Sequence, residues 1–184
     1  GISALNRGNS LAKRLLNLDG GFLDYYNSYS SACIRQATPL MYGTNETGQN
    51  PEDWLNANFI ILWGHNPEET KFDSVTMNVL LRAKKKGIPI VVVDPRKNDT
   101  VVRLEAEWIP VRPATDSAMM DAMAWVIVEE NLQDQEFLNR CCIGFDKEHM
   151  PDGVDPSECY LSYLYGEKDG VEKTPEWAES RRPS

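Results

Sequence analysis

The chain has 184 residues, of which 28 are acidic and 19 are Lys or Arg, giving a formal net charge of −9. This length is enough for one sizeable α/β domain with its own hydrophobic core. The acidic balance argues against a nucleic-acid-binding surface, which needs clustered Lys and Arg. No apolar run approaches the ~20 residues that a membrane-spanning helix requires.

The predicted elements alternate between helices and apolar strands. Helical spacing of apolar residues predicts helices over residues 9–18, 32–42, 74–86, 99–104, 115–130 and 134–142. Apolar runs predict strands over residues 59–63, 88–93 and 107–111. The first run is continuously apolar, which favours a strand that is buried on both faces. Strand, helix and strand at this spacing predict a parallel βαβ unit.

Two of the predicted helices have identifiable inward-facing positions. In the helix over 74–86 these are Val75, Val79, Leu80 and Ala83. The helix over 115–130 is capped by Thr115 or Asp116. Its predicted inward residues are Met119, Met120, Met123, Ala124 and Ile127. After residue 144 the pattern dissolves into a stretch rich in Gly, Pro, Asp and Tyr.

Polar and turn-forming residues follow the first predicted strand. The sequence changes abruptly to Gly-His-Asn-Pro-Glu-Glu-Thr over residues 64–70. Ligands bind at the carboxyl edge of the sheet in open α/β folds. Gly64 permits close approach of the backbone, and Asn66 and Thr70 supply neutral donors and acceptors. His65 could contact a ligand, although exposure on the loop is the plainer interpretation.

Two further edges show the same change of character. The second strand ends in Asp94-Pro95-Arg96. A carboxylate there can accept two hydrogen bonds from a sugar diol or a guanine edge, and Arg96 can pair with phosphate. Thr115 and Asp116 open a helix, whose free N–H groups favour anions. Any one edge alone is more often an ordinary turn or cap, but three in succession predict a large polar ligand.

The chain lacks the usual nucleotide-binding fingerprints. Neither GxGxxG nor GxxxxGK[ST] occurs in the sequence, so ordinary NAD(P) or P-loop binding is disfavoured. The aromatic and serine-rich stretch over residues 25–34 lies outside any periodic element. It is consistent with a polar turn, but Ser30, Ser31 and Cys33 also offer an alkoxide or thiolate to a metal. A high-valent metal such as molybdenum stabilises a deprotonated ligand.

Four motifs occur in order along the chain. They are Tyr-Ser-Ser-Ala at 29–32, Trp-Gly-His-Asn-Pro-Glu-Glu-Thr at 63–70, Val-Asp-Pro-Arg at 93–96 with Asp-Thr at 99–100, and Glu-Trp-Ile-Pro-Val-Arg-Pro-Ala-Thr-Asp at 107–116. Together they resemble the catalytic subunits of the dimethyl sulfoxide reductase family, the bis(molybdopterin guanine dinucleotide) enzymes. Residues 129–138, 144–146 and 173–178 add to the resemblance. It therefore covers nearly the whole chain.

The resemblance implies a role for each matched position. Ser30 aligns with the serine that ligates molybdenum, and Tyr29 is a candidate for the substrate pocket. Asp94 resembles the carboxylate that binds a guanine base. Ala114 departs from the family pattern, which more often has glutamine or glycine there. The implied cofactor-binding residues are Trp63, Gly64, His65, Asn66, Glu69, Thr70, Asp94, Pro95, Arg96, Thr115 and Asp116.

The resemblance also implies a fold and a division of the chain. We expect an α/β fold with a three-layer, mostly parallel sheet and helices on both faces. This is a Rossmann-like molybdopterin-binding domain, followed by an irregular carboxyl-terminal stretch. The expected division is residues 1–50 for the metal-ligand segment, 51–145 for the βαβ cofactor-binding core and 146–184 for the irregular extension.

The implied chemistry is two-electron reduction of a sulfoxide, an N-oxide or a similar oxidant by oxygen-atom transfer at molybdenum. The implied partners are an iron–sulfur electron-transfer subunit and a membrane anchor subunit. The implied location is the extracytoplasmic face of the membrane or the periplasm. We expect the chain to be an inactive internal fragment, with a [4Fe–4S] cluster only in a preceding region. The alternative is a non-catalytic nucleotide-binding or structural module that has lost the metal.

Overall fold

The computed structural model describes residues 8–24, 31–70 and 75–181 of the chain. Its α-helices are α1 (Gly8–Leu18), α2 (Ala32–Tyr42), α3 (Val75–Lys85), α4 (Asp99–Leu104), α5 (Asp116–Glu129), α6 (Gln135–Cys141), α7 (Tyr160–Leu164) and α8 (Pro175–Ser180). The strands are β1 (Ile60–Trp63), β2 (Ile90–Val93) and β3 (Glu107–Ile109). Short 3₁₀ helices span Pro51–Asn56, Lys147–His149 and Pro156–Glu158.

The strands form a three-stranded parallel sheet in the order β1-β2-β3, which confirms the predicted α/β class. All four residues of the central strand β2 are buried. The edge strand β1 instead alternates, because Ile60 and Leu62 are buried while Ile61 is 41% exposed. The prediction that β1 is buried on both faces was therefore wrong. A continuous apolar run does not distinguish a central strand from an edge strand.

Helix α3 packs against the 3₁₀ helix at Pro51–Asn56 and against α4. Its buried face consists of Thr76, Val79, Leu80 and Ala83. Val75, which was predicted to face inward, is 44% exposed. The buried side of the helix begins at Thr76 and not at Val75. The period of 3.6 residues per turn places Thr76, Val79, Leu80 and Ala83 on the same side.

The chain divides into two compact units, residues 1–92 with 98–107 and residues 93–97 with 108–184. In the first unit, the core is apolar and is built from β1, β2, α3 and α4. Helices α1 and α2 of that unit have no buried residue. In the part of the chain that the structure describes, no helix combines the length and apolar character needed to cross a membrane.

The second unit is centred on α5, which packs against α7 and α8. Tyrosine hydroxyls hold α5: Tyr163 donates to Asp121 Oδ2 over 2.7 Å and Tyr165 donates to Glu129 Oε1 over 2.8 Å. Of the residues in α5, Ala122 is buried. Met120, Met123 and Ile127 are 46%, 38% and 42% exposed, so their prediction as inward residues was wrong.

The stretch after residue 145 is more ordered than its composition suggested. Helices α7 and α8 have five and six residues, which is too short for a helical period to be recognised in the sequence. Lys173, in the loop between them, is only 2% exposed. Its ammonium group pairs with Asp169 at 2.8 Å and lies 4.6 Å from the centre of the Tyr163 ring.

Candidate functional site

The first candidate edge is the loop that follows β1, residues 64–70. Gly64 has a φ of 57°, a left-handed conformation that glycine adopts at little cost. The Asn66 carbonyl then accepts hydrogen bonds from the Glu69 N–H over 3.3 Å and the Thr70 N–H over 2.9 Å. These bonds close residues 66–70 into a compact turn directly beyond the strand.

Helix α4 holds this loop through side-chain contacts. The Thr100 hydroxyl donates to Asn66 Oδ1 over 2.6 Å and accepts the Glu68 N–H over 3.1 Å. Arg103 pairs with the Glu68 carboxylate at 2.9 Å. Asn98 begins the helix, and its side chain accepts the Val101 N–H over 3.1 Å. The loop is therefore fixed from outside as well as by its own backbone.

Trp63, His65 and Glu69 are also predicted residues of this edge, but they lie in different surroundings from Asn66. Trp63 and His65 line a groove of about 680 Å³, together with Trp54, Phe59 and other residues between 49 and 62. Trp63 is half-buried, whereas His65 and Glu69 are exposed. The predicted residues of this edge therefore fall into two groups. Asn66 lies in the loop that α4 holds, whereas Trp63 and His65 line a separate groove.

The second candidate edge is formed by Asp94, Pro95 and Arg96, directly after β2. Asp94 is half-buried, and its Oδ1 accepts the Arg96 N–H over 2.8 Å. Its backbone is tied to β3 on both sides, because the Asp94 N–H donates to the Ile109 carbonyl over 3.2 Å and Trp108 Nε1 donates to the Asp94 carbonyl over 2.9 Å. This carboxylate is held in a defined place at the end of the central strand.

The third candidate edge is the turn that leads into α5. Thr115 precedes the first helical residue, as predicted, but its side chain makes no cap to the helix. Its hydroxyl instead donates to the Arg112 carbonyl over 2.7 Å, and its N–H donates to the same oxygen over 3.1 Å. Ala114 has a φ of 68°, which strains a residue with a Cβ. The sequence could not show this strain, although it had marked position 114 as a departure from the family.

Pro95 and Thr115 line one groove of about 750 Å³ in the second unit. Its other walls are largely apolar and come from residues 109–113, from Met119, Ala122 and Met123 of α5, and from Pro175 and Ala178 of α8. Two predicted cofactor residues from different edges are thus brought together. Sequence reasoning did not find this groove, because residues 175–179 lie far along the chain from α5, which ends at Glu129.

Titratable tyrosines lie beside α5 rather than at the strand ends. Burial, together with the Asp121 carboxylate, raises the pKa of both Tyr160 and Tyr163 to about 12. Both hydroxyls donate to the Asp121 carboxylate, Tyr160 over 3.4 Å and Tyr163 over 2.7 Å. This cluster stabilises the helix that carries the third edge.

Ser30 and Tyr29, the predicted metal ligand and pocket residue, lie outside the described residues. Ser31, which follows them, stands at the N-cap position of α2, and Cys33 is exposed in the first turn of that helix.

In the first unit, the loop after β1 suits the pterin-type ligand that the resemblance implies on two observations. Asn66 has its oxygen engaged by Thr100, so its remaining polar group is an amide donor suited to acceptor atoms. A Cβ built on Gly64 would meet no atom within 4 Å, which leaves room for close approach. In the second unit, Asp94 provides a carboxylate acceptor directly after the central strand.

Thr100 is the contributor that sequence reasoning missed. Asp-Thr at 99–100 belonged to the resemblance, but no role was assigned to it. The sequence feature that could have indicated this role is that Thr100 is the second residue of a predicted helix that follows β2. There, a buried hydroxyl can reach the end of the neighbouring parallel strand.

The fold and the polar strand ends define a cofactor-binding α/β protein. The molybdopterin oxidoreductase family model matches residues 3–169. The chain belongs to the molybdopterin oxidoreductase family, which confirms the resemblance seen in the sequence. Membership implies a molybdopterin cofactor that carries molybdenum.

Curated relatives agree with this assignment. The chain is 42% identical over 168 residues to the probable dimethyl sulfoxide reductase chain YnfF of Escherichia coli K12, covering 90% of this chain and 21% of the relative. It is 41% identical over 174 residues to dimethyl sulfoxide reductase DmsA of the same organism, covering 93% and 21%. Identity to the dimethyl sulfoxide/trimethylamine N-oxide reductase of Rhodobacter capsulatus is 30%, covering 92% and 20%.

The chain thus spans about a fifth of the length of these relatives. Among solved structures, acetylene hydratase from Pelobacter acetylenicus matches with a TM-score of 0.41 and 26% identity, covering 62% of this chain and 17% of that chain.

Proposed function

We propose that this protein is part of the catalytic subunit of a molybdenum-dependent oxidoreductase that reduces a sulfoxide, an N-oxide or a similar substrate. The observation that carries the proposal is the 41–42% identity to two dimethyl sulfoxide reductase chains over at least 90% of this chain. Identity to a reductase of both substrate classes is lower, at 30%. This difference favours a sulfoxide as the first substrate to test.

The cofactor in this proposal is bis(molybdopterin guanine dinucleotide), which supplies two-electron redox chemistry at molybdenum when bound. The chain's residues bind and orient it. Asn66 donates to an acceptor atom of the cofactor, Asp94 accepts from a guanine edge, and Arg96 pairs with phosphate. Thr115 and Asp116 place the first turn of α5 near an anionic group.

Ser30 is the proposed molybdenum ligand, and Tyr29 is a proposed pocket residue. Both assignments rest on the Tyr-Ser-Ser-Ala motif at 29–32. The proposal also includes an iron–sulfur electron-transfer subunit, a membrane anchor subunit and a location at the extracytoplasmic face of the membrane. A [4Fe–4S] cluster would be bound by a region preceding this segment, and the isolated segment is expected to be inactive.

The test is oxidation of reduced viologen by the full-length protein, purified without oxygen, with dimethyl sulfoxide or trimethylamine N-oxide as oxidant. We expect turnover with the sulfoxide and its loss in Ser30→Ala, because that variant lacks the proposed metal ligand.

Ser31→Ala and Cys33→Ala are the matched controls, since both remove a neighbouring candidate ligand. If activity survives Ser30→Ala but disappears in one of the controls, the residue changed in that control is the metal ligand. A wild-type protein that holds molybdenum but reduces neither compound would contradict the proposed substrate class.

A further inference from the structure

Thr100 is a fully buried polar residue whose hydroxyl is used entirely by the loop after β1. Its relative exposure is 0%, although Val102 in the same helix is 63% exposed. The hydroxyl donates to Asn66 Oδ1 over 2.6 Å and accepts the Glu68 N–H over 3.1 Å. Both partners belong to the loop, and both lie more than 30 positions away in the chain.

The positions of the protons determine the orientation of the Asn66 amide. The Glu68 N–H can only donate, so the Thr100 oxygen must accept there and its proton must go elsewhere. Asn66 Oδ1 accepts that proton. If the amide were turned by 180°, its N–H would face the Thr100 oxygen, and the buried hydroxyl proton would lose this acceptor. The side-chain group of Asn66 that remains for a ligand is therefore a donor.

Further contacts make this arrangement rigid. The Asn66 carbonyl closes the turn by accepting from the Thr70 N–H over 2.9 Å. The Glu68 carboxylate, only 17% exposed, pairs with Arg103 one turn further along α4. Asn98 is itself 3% exposed and caps the start of that helix. The hydroxyl of Thr100 is thus presented from a helix whose position is fixed.

We propose that Thr100 is a positioning residue of the cofactor site. Its hydroxyl sets Asn66 so that the side chain presents N–H donors, and not an acceptor, to the cofactor. The inference rests on the proposed function. It implies that Asn66 recognises an acceptor atom of the cofactor. Thr100 itself does not touch the ligand in this proposal.

The test compares the wild type with Thr100→Val and Thr100→Ser in the full-length protein purified without oxygen. Valine keeps the shape of threonine without the hydroxyl, and serine keeps the hydroxyl. We expect the rate of molybdenum and pterin loss to rise about tenfold in Thr100→Val, in the range known for residues that orient a ligand-binding group. Hydrogen exchange at the Glu68 amide should rise about tenfold as well, because its acceptor is gone. Thr100→Ser should stay near the wild type in both measurements.

Two further variants separate positioning from general stability. Ser162→Ala removes another buried hydroxyl, which donates to Glu167 over 2.9 Å in the second unit. It should lower the melting temperature but leave cofactor retention unchanged. Asn66→Asp keeps an oxygen for Thr100 but replaces the donors with an acceptor. It should lose cofactor while the Glu68 amide stays protected.

Each contrary result has a distinct meaning. Unchanged cofactor retention in Thr100→Val, or equal losses in Thr100→Ser and Thr100→Val, would overturn the positioning role alone. Normal retention in Asn66→Asp would overturn the donor assignment, even if Thr100→Val failed to fold. A wild-type protein without molybdenum or pterin would overturn the proposed function and this inference with it.

Discussion

The loop after β1 and the turn before α5 are both predicted cofactor edges, but they are stabilised in different ways. The loop is held by side chains of another element, since Thr100 and Arg103 of α4 bond Asn66 and Glu68. The turn is held locally, by two hydrogen bonds from Thr115 to the Arg112 carbonyl, and it contains a strained Ala114. A braced loop can present a fixed side chain, whereas a local turn presents mainly its backbone.

This difference predicts where substitutions act. Substitutions in α4 should also destabilise the loop over 64–70, which is distant from α4 in the sequence. Changes near Ala114 should stay local, because the hydrogen bonds of that turn join residues three positions apart.

Asn98→Ala should have the largest effect, destabilising the protein by about 2 kcal/mol through loss of a buried helix cap. Hydrogen exchange at the amides of residues 66 and 68–70 should rise with it, because α4 carries Thr100. Urea unfolding and exchange would measure the two effects. Asp134→Ala removes an exposed cap of α6 and should cost less, with no change in the loop. If the loop amides exchanged as slowly in Asn98→Ala as in the wild type, stabilisation of the loop by α4 would be refuted.

Tyr163→Phe should destabilise α5 by about 1 kcal/mol at neutral pH, since it removes a hydrogen bond to Asp121. Because burial and Asp121 raise the pKa of Tyr163 to about 12, the folded protein holds this proton more tightly than the unfolded chain. Its contribution is complete below pH 10 and declines between pH 10 and 12. The variant should therefore lose less stability than the wild type over that interval in pH-dependent melting.

Tyr42→Phe is the control for removal of a tyrosine hydroxyl, because Tyr42 is 71% exposed. It should change the free energy of unfolding by less than about 0.5 kcal/mol at neutral pH. Equal alkaline losses in the wild type and Tyr163→Phe would show that the Tyr163 hydroxyl does not bind its proton more tightly in the folded state.

Arg103→Gln should cost about 0.5 kcal/mol, as expected for a partly exposed ion pair. The cost should shrink at high salt, and exchange in the loop should rise slightly. Arg82→Gln removes an exposed pair with Glu52 at a comparable distance, 2.7 Å, and should leave the loop unchanged. Identical loop exchange in both variants would show that Arg103 does not brace the loop.

Ala114→Gly should stabilise the protein by about 0.5 kcal/mol, an effect no larger in size than that of Arg103→Gln. Relief of the left-handed strain, about 1–2 kcal/mol, exceeds the entropy that glycine loses on folding. Ala57→Gly, at a φ of −72°, should instead destabilise the protein, since no strain is relieved there. A melting temperature lowered by both changes would contradict the strain at position 114.

The sequence predicted the elements well where a period was long enough to recognise. The bounds of α4 matched, and α3, α5 and β2 were placed within two residues at each end. The exposed face of β1 and the exposed methionines of α5 were not foreseen, because periodicity identifies an apolar face but not what covers it. For the site, residues 64–70 and 94–96 follow β1 and β2 as expected, and their cofactor-binding roles stay predictions. The role of Thr100 depends on a contact across 34 positions, which its place near the start of a helix after β2 indicates only in part.

The most direct test of the proposed function is the molybdenum, pterin and guanine nucleotide content of the full-length protein, purified without oxygen. We expect one molybdenum with two pterin guanine dinucleotides per chain, and substantial loss of all three in Thr100→Val. A wild-type protein with no molybdenum and no pterin would contradict the proposed function and would favour a non-catalytic module.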